Sequence, residues 1–79
     1  MSLAELVAQN LRAARAKRQL SQQELAMKAG LSVSYISMLE RSERTPPLET
    51  LETIAKALRV PPLDLFQASA GGRARSGKR

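Results

Sequence analysis

A glycine, Gly30, stands between two short stretches that each carry the features of a helix start. Ser21 is followed three residues later by Glu24, the spacing of a capping box in which hydroxyl and carboxylate satisfy free backbone amides. Ser32 supplies a second helix N-cap just beyond the glycine. Because glycine adopts the left-handed conformation that ends many helices, the chain is predicted to form two short helices joined by a tight turn. This spacing is typical of a helix-turn-helix motif, with the third helix of the chain ending near Arg41.

Apolar residues at helical spacing predict further helices on both sides of this pair. Another capping box, Ser2 with Glu5, precedes an amphipathic stretch over residues 3–18. "RTPP" interrupts the helical pattern at residues 44–47, and an apolar stripe from Leu48 to Leu58 predicts a fourth helix. "VPPLDLF" predicts a short fifth helix. We therefore expect an all-α, five-helix domain in residues 1–68 and a basic, mobile tail in residues 69–79.

The composition excludes several classes of protein. The chain contains neither Cys nor His, which removes disulfides, the common zinc ligands and the commonest general base. The carboxylates are scattered, so no catalytic constellation is present, and neither an enzyme nor a bound metal or cofactor is expected. The longest apolar runs are too short to span a bilayer and no segment resembles a secretion signal, so no membrane partner and a cytoplasmic location are predicted.

The positive charge is distributed unevenly. The formal net charge is +6, but four of the thirteen Lys and Arg residues lie in the last seven positions, where there is no acid. The rest of the chain is therefore close to charge balance. The charge permits a nucleic-acid partner without establishing one, and the tail either contacts phosphates non-specifically or keeps the protein soluble.

Residues 11–66 resemble the lambda-repressor-like helix-turn-helix family, also called the Cro/repressor or xenobiotic-response-element family. The matching features are "LSQQELA", Gly30, "SYIS" followed by "LE", and "LETL" followed by "IAKAL", in the family's order and spacing. The resemblance implies a five-helix DNA-binding domain of a transcriptional regulator, usually a homodimer on a palindromic site in double-stranded DNA. The family often has Gly at the positions of Gln19 and Ser42. If these two residues adopt positive φ, they are strained relative to Gly.

The resemblance also implies roles for individual residues. Arg15 and Glu40 match an ion pair that joins helix one to the end of helix three. Tyr35 has two alternatives, a hydrogen bond from its hydroxyl to a phosphate or packing on helix one. The other predicted phosphate contacts are Gln22, Arg41 and Arg44, and the positions that face the DNA bases are Ser32, Val33, Ser34, Ser37 and Met38.

The predicted recognition helix contains no side chain that could make a bidentate contact with a base between Ser32 and Leu39. Each such contact contributes about 1–3 kcal/mol of discrimination between bases. We therefore expect affinity to come mostly from phosphate contacts. Specificity is expected from DNA shape, half-site spacing and contact of Val33 with a thymine methyl group.

The fifth helix has more apolar residues than its docking requires. Leu65 and Phe66 match core positions of the family, whereas Leu63 occupies a position where a polar residue is common. We assign all three, Leu63, Leu65 and Phe66, to a homodimer interface. The alternative is that Leu63 is an isolated surface leucine.

These features predict a sequence-specific transcriptional regulator without a ligand-binding domain and without a small-molecule ligand. A restriction-modification controller, a phage-type repressor and a stand-alone regulator all fit this description. The alternative is an antitoxin or adaptor whose main role is to bind a protein partner.

Overall fold

The computed structural model describes residues 1–68, and the tail predicted for residues 69–79 lies outside the described residues. The all-α prediction is confirmed, with four α-helices followed by a short 3₁₀ helix in this part of the chain. The elements are α1 (Leu3–Lys17), α2 (Gln22–Ala29), α3 (Val33–Glu40), α4 (Leu48–Leu58) and the 3₁₀ helix Pro62–Phe66. None of the helices in residues 1–68 combines the length and the apolar character needed to cross a membrane.

Both predicted capping boxes are present. Ser2 Oγ accepts a hydrogen bond from the Glu5 amide at 3.1 Å, and the Glu5 carboxylate accepts one from the Ser2 amide at 2.8 Å. Ser21 and Glu24 repeat this exchange at 2.9 and 2.8 Å. The starts of α1 and α2 are therefore decided by local side-chain chemistry, which explains why the sequence predicts them well.

The short fifth helix predicted for "VPPLDLF" is present as the 3₁₀ helix Pro62–Phe66, so the domain has four α-helices and one 3₁₀ helix in residues 1–68. Pro61 and Pro62 lack backbone donors, and no side chain caps this element. Five residues are also too few to stabilise an α-helix by its own backbone hydrogen bonds. Asn10 of α1 attaches the segment to the domain, because its Nδ2 donates to the carbonyl oxygens of Leu65 at 2.9 Å and Gln67 at 2.8 Å.

The core is aliphatic and consists of two clusters. The larger cluster holds α2 and α3 against α1 and α4, and the smaller one joins α1, α4 and the 3₁₀ helix. Burial of these side chains supplies the main driving force for folding. The larger cluster contains Leu11, Leu25, Ala26, Ala29, Ile36, Leu39, Ile54 and Leu58, and the smaller one contains Val7, Leu51, Ala55 and Leu65.

Four residues that follow helices have left-handed backbone. Gly30 has φ of 71°, Gln19 59°, Ser42 62° and Arg59 61°. Gly30 was predicted, Gln19 and Ser42 are the positions where the family often has Gly, and Arg59 was not anticipated. A non-glycine residue in this conformation costs about 1–2 kcal/mol, so three of the four helix ends carry some backbone strain.

Exchanging residue types at these positions tests that strain. Gly30→Ala is expected to lower the free energy of unfolding by about 1 kcal/mol through the backbone alone. An added Cβ at Gly30 would meet no atom within 4 Å. Gln19→Gly is expected to raise the free energy of unfolding by a few tenths to about 1 kcal/mol. Urea unfolding followed by circular dichroism measures both.

The matched control is Ala16→Gly, which adds a glycine within α1. It is expected to lower the free energy of unfolding by about 1 kcal/mol, because the helical backbone there is unstrained. If Gln19→Gly costs as much as Ala16→Gly, the left-handed backbone at Gln19 is not a source of strain.

Candidate nucleic-acid interface

α3 is held with one face inward and the opposite face outward. Ile36 is completely buried and Leu39 is 2% exposed, because both pack in the larger core cluster. Val33 and Ser34 point outward, and 44% of the surface of Val33 is exposed. The first turn of α3 therefore projects from the domain.

The start of α3 depends on Gly30 and Ser32. The left-handed backbone of Gly30 ends α2 and lets the chain turn into α3 within two residues. Ser32 was predicted to face DNA bases, but its Oγ accepts a hydrogen bond from the Tyr35 amide at 3.0 Å. This hydroxyl is therefore engaged as the N-cap of α3, although it keeps its own donor.

A shallow concavity runs along the outward face of α3. Four of the five predicted base-facing residues line it, together with one residue of α2 and two that follow α3. The predicted base contacts and the predicted phosphate contact of α2 thus share one side of the molecule. The lining residues are Gln22, Val33, Ser34, Ser37, Met38, Arg41 and Glu43.

Gln22 is the first residue of α2, and its side chain is half-buried at the edge of the concavity. Its Nε2 donates a hydrogen bond to Oε1 of Glu40 at 3.0 Å. A glutamine amide carries two donors, so one N–H remains for an acceptor such as a phosphate oxygen. The free backbone amides in the first turn of α2 add to the attraction for an anion.

The predicted ion pair of Arg15 and Glu40 is present and is largely shielded from solvent. Arg15 Nε lies 2.6 Å from Glu40 Oε2, and Arg15 Nη2 donates to Oε1 at 3.0 Å. Arg15 Nη1 also donates to the carbonyl oxygen of Leu20 at 2.8 Å. Because only 2% of Glu40 is exposed, this carboxylate depends on its protein partners for its hydrogen bonds.

Opposing effects act on the pKa of Glu40. Burial alone would raise it, but the hydrogen bonds from Arg15 and Gln22 and the positive charges of Arg15 and Arg12 outweigh burial and hold the pKa below its usual value. A carboxyl whose pKa is lowered by folding stabilises the folded state above its unfolded pKa. That stabilisation is lost as the pH falls through the folded pKa.

Two further arginines, Arg12 of α1 and Arg18 at its C-cap, bind carbonyls at the ends of other helices, and sequence reasoning missed both contacts. Arg12 Nη1 donates to the carbonyl of Glu40 at the end of α3. Arg18 donates through Nε to the Leu58 carbonyl at 2.9 Å and through Nη2 to the Arg59 carbonyl at 3.0 Å, at the end of α4. The spacing of Arg12, Arg15 and Arg18, three residues apart from α1 to its C-cap, was the available indication. Cations at helix C-termini are favoured by the helix dipole.

The two arginines beyond α3 have different surroundings. Arg44 is exposed and forms no salt bridge within residues 1–68. Arg41 folds back along α3, and its Nη1 donates to Ser37 Oγ. Its Nε and Nη2 donate to Glu43 Oε2 and Oε1 at 2.8 and 3.1 Å. The hydrogen bonds from Arg41 lower the pKa of Glu43 below its usual value.

Tyr35 packs in the structure. Its side chain is half-buried against the larger core cluster, in agreement with the packing alternative. A hydrogen bond from its hydroxyl to a phosphate stays a prediction.

The three residues assigned to a dimer interface separate in the structure. Leu65 is 1% exposed within the smaller core cluster, so its assignment to a dimer interface is wrong, since its surface is already covered by this chain. Leu63 is 72% exposed, and Phe66 is half-buried. Phe66 lines an apolar groove together with Leu3 and Leu48, which are 61% and 72% exposed.

Comparison with known proteins identifies the family. The family model "HTH_3: Helix-turn-helix" matches residues 11–65, more than half of the chain. The chain belongs to this helix-turn-helix family. The match begins in α1 and ends in the 3₁₀ helix, so it includes the α2–Gly30–α3 unit and the concavity beside it.

Two relatives of this helix-turn-helix protein differ in length. "Control protein C.SmaI" of Serratia marcescens is 45% identical over 58 residues, which cover 73% of this chain and 69% of that protein. "Immunity repressor protein" of Bacillus phage phi105 is 46% identical over 54 residues, which cover 68% of this chain but only 38% of that protein.

Solved structures agree with this assignment. The restriction-modification controller protein C.AhdI from Aeromonas hydrophila superposes with a TM-score of 0.78 at 36% identity, covering 80% of this chain and 96% of that one. The hypothetical transcription factor NHTF from Neisseria superposes with a TM-score of 0.81 at 35% identity, covering 84% of this chain and 76% of that one.

The substitution Glu40→Gln tests the buried ion pair. It leaves the mostly buried Arg15 without its counter-charge and is expected to lower the free energy of unfolding at pH 7 by about 3 kcal/mol. As the pH falls through the usual carboxyl value of 4.5 and then through the lower folded pKa, the wild type loses its own ion pair. The difference in free energy of unfolding between the wild type and Glu40→Gln is therefore expected to become smaller at acidic pH. Urea unfolding from pH 7 to pH 3 measures this.

Glu52→Gln is the matched control, because Glu52 is exposed and has no salt bridge within residues 1–68. It is expected to change the free energy of unfolding by less than about 0.5 kcal/mol at every pH. A difference between wild type and Glu40→Gln that stays constant with pH would contradict the role given to the ionised carboxylate.

Proposed function

We propose that this helix-turn-helix protein is a sequence-specific transcriptional regulator that binds operator DNA through the outward face of α3. The observation that carries the proposal is the concavity, where Val33, Ser34 and Ser37 meet Gln22 on one side of the molecule. A short helix with small outward residues fits the major groove of B-DNA. Membership of the helix-turn-helix family supports the same function.

We infer a restriction-modification controller as the class of regulator. Similarity to two controller proteins supports this inference, since C.SmaI is 45% identical over 58 residues and C.AhdI superposes with a TM-score of 0.78 at 36% identity. We propose that it acts as a homodimer on a palindromic operator.

The proposed contacts fall into two groups. Gln22, through its second N–H and the α2 amides, and the exposed Arg44 bind phosphates on either side of the groove, and the Tyr35 hydroxyl is a further candidate. The bases are contacted by Ser32, Val33, Ser34, Ser37 and Met38. Neutral and apolar groups of this kind discriminate weakly between base pairs, so phosphate contacts contribute most of the affinity.

Three exposed leucines and the half-buried Phe66 support dimerisation. Leu3, Leu48, Leu63 and Phe66 form what we call the apolar surface. Leu3, Leu48 and Phe66 line one groove, and Leu63 lies three residues before Phe66, which places both on the same side of a 3₁₀ helix. An exposed surface of this kind fits a self-complementary contact with a second copy of the chain.

The double substitution Val33→Glu with Ser34→Glu tests the proposed DNA contact. Two carboxylates placed against the phosphate-lined groove are expected to weaken binding to a selected operator by at least about 100-fold. Acidic residues suit the first turn of a helix, so the thermal melt is expected to stay nearly unchanged. Gel shifts at several salt concentrations measure the binding and its salt dependence.

The matched control is Ala13→Glu with Thr53→Glu, which makes the same change in net charge at two exposed positions outside the concavity. This control variant is expected to bind the selected operator only slightly more weakly than the wild type does. Equal losses in the two double variants would attribute the effect to net charge and remove α3 from the interface.

A further double substitution, Leu48→Glu with Leu63→Glu, tests the dimer. Four carboxylates would oppose each other across a two-fold interface, so the dimer is expected to dissociate at micromolar concentration. Sedimentation velocity measures the oligomeric state, and gel shifts on DNA with one or two half-sites measure cooperative binding.

Met27→Glu is the control for a carboxylate at an exposed apolar position, because Met27 is 74% exposed on α2 and lies outside the apolar surface. It is expected to remain dimeric. A wild-type protein that is monomeric under these conditions would favour the second candidate, an adaptor or antitoxin that covers the apolar surface with a different protein.

A further inference from the structure

The concavity beside α3 contains a single cationic side chain among the residues of the described chain that line it. The lining from α3 itself is Val33, Ser34, Ser37 and Met38, none of which can make a bidentate contact with a base. Arg41 follows α3 directly, and its side chain extends back along the helix to Ser37. The arginine thus lies on the base-facing side of α3 and not on the far side of the turn.

The hydrogen bonds of Arg41 leave a defined pair of donors. A guanidinium has five N–H donors. Nε and Nη2 each donate to one carboxylate oxygen of Glu43, and Nη1 donates to Ser37 Oγ. Two donors remain, one on each terminal nitrogen, which is the number that a bidentate contact with O6 and N7 of guanine requires.

Within residues 1–68, the carboxylate of Glu43 has no hydrogen bond or salt bridge except those with Arg41. Its side chain is 52% exposed and that of Arg41 is 55% exposed, so the pair lies at the surface and contributes little to the fold. A carboxylate beside a DNA-binding groove also repels phosphates. An unrestrained arginine at this exposed position would itself be free to bind phosphate, whereas the two hydrogen bonds to Glu43 restrict its direction.

We propose that Glu43 is a positioning residue that holds Arg41 against Ser37, so that Arg41 contacts a guanine in the major groove and not a phosphate. This inference rests on the proposed function, and it changes the role of Arg41 from phosphate contact to base contact. In this role Arg41 supplies the bidentate base contact that the residues of α3 itself cannot make.

The experiment uses the full chain and duplexes selected from a random pool by the wild-type protein. Each guanine of the selected site is replaced in turn by 7-deazaguanine, which removes the N7 acceptor and leaves the phosphates unchanged. We expect one guanine per half-site at which this replacement weakens wild-type binding by about tenfold, which corresponds to about 1.4 kcal/mol. The effect is expected to fall below about twofold in both Arg41→Gln and Glu43→Ala.

Glu52→Ala is the matched control, since it removes one exposed carboxylate that forms no salt bridge within residues 1–68. It is expected to keep the tenfold effect of 7-deazaguanine. Glu43→Ala is also expected to bind unselected DNA more tightly than Glu52→Ala does, because Arg41 is then released to the phosphates.

Each other outcome overturns the inference in a distinguishable way. If Glu43→Ala keeps the 7-deazaguanine effect, Glu43 does not position Arg41. If no single guanine matters and Arg41→Gln weakens every duplex equally, Arg41 is a phosphate contact while the proposed function stands. If the wild type selects no sequence from the pool, the proposed function fails and this inference fails with it.

Discussion

The buried carboxylate of Glu40 is the interaction on which the rest of the structure depends. It accepts hydrogen bonds from Arg15 of α1 and Gln22 of α2 while belonging to α3 itself. A buried ion pair contributes less to net stability than to geometry, because much of its Coulombic attraction offsets desolvation. Here its directional hydrogen bonds fix the orientations of α1, α2 and α3 relative to one another. The apolar core alone would tolerate small rotations of α3, since aliphatic contacts are not directional.

The same network connects the core to the proposed DNA surface. Gln22 uses one N–H on Glu40 and lies at the edge of the concavity, so the buried pair fixes the position of a proposed phosphate contact. Arg12 and Arg18 bind the carbonyls that end α3 and α4. These arginines have structural partners, and the formal charge of the chain therefore overstates the positive charge directed at DNA.

The outward face of α3, which we propose to contact DNA, combines small or neutral side chains with a backbone that is well held. Its N-cap, its left-handed entry at Gly30 and its buried Ile36 and Leu39 make the helix a rigid support. Small outward side chains allow close approach to a groove, and most of the discrimination must then come from a few well-directed groups. The proposed orientation of Arg41 by Glu43 is consistent with that requirement, because a long side chain contributes specificity only when its direction is restricted.

The sequence by itself determined the four α-helices and the turn at Gly30, because capping boxes, helical apolar spacing and a glycine act on neighbouring residues. Resemblance to the family added the Arg15–Glu40 pair. Only the tertiary structure decided that "PPLDLF" forms a 3₁₀ helix, that Leu65 is covered by the protein's own core and that Glu43 faces Arg41. It also decided that Arg18 reaches the end of α4, forty residues away along the chain. The contacts of Arg18 depend on which distant backbone groups lack partners after the helices pack, and no local pattern of residues records that.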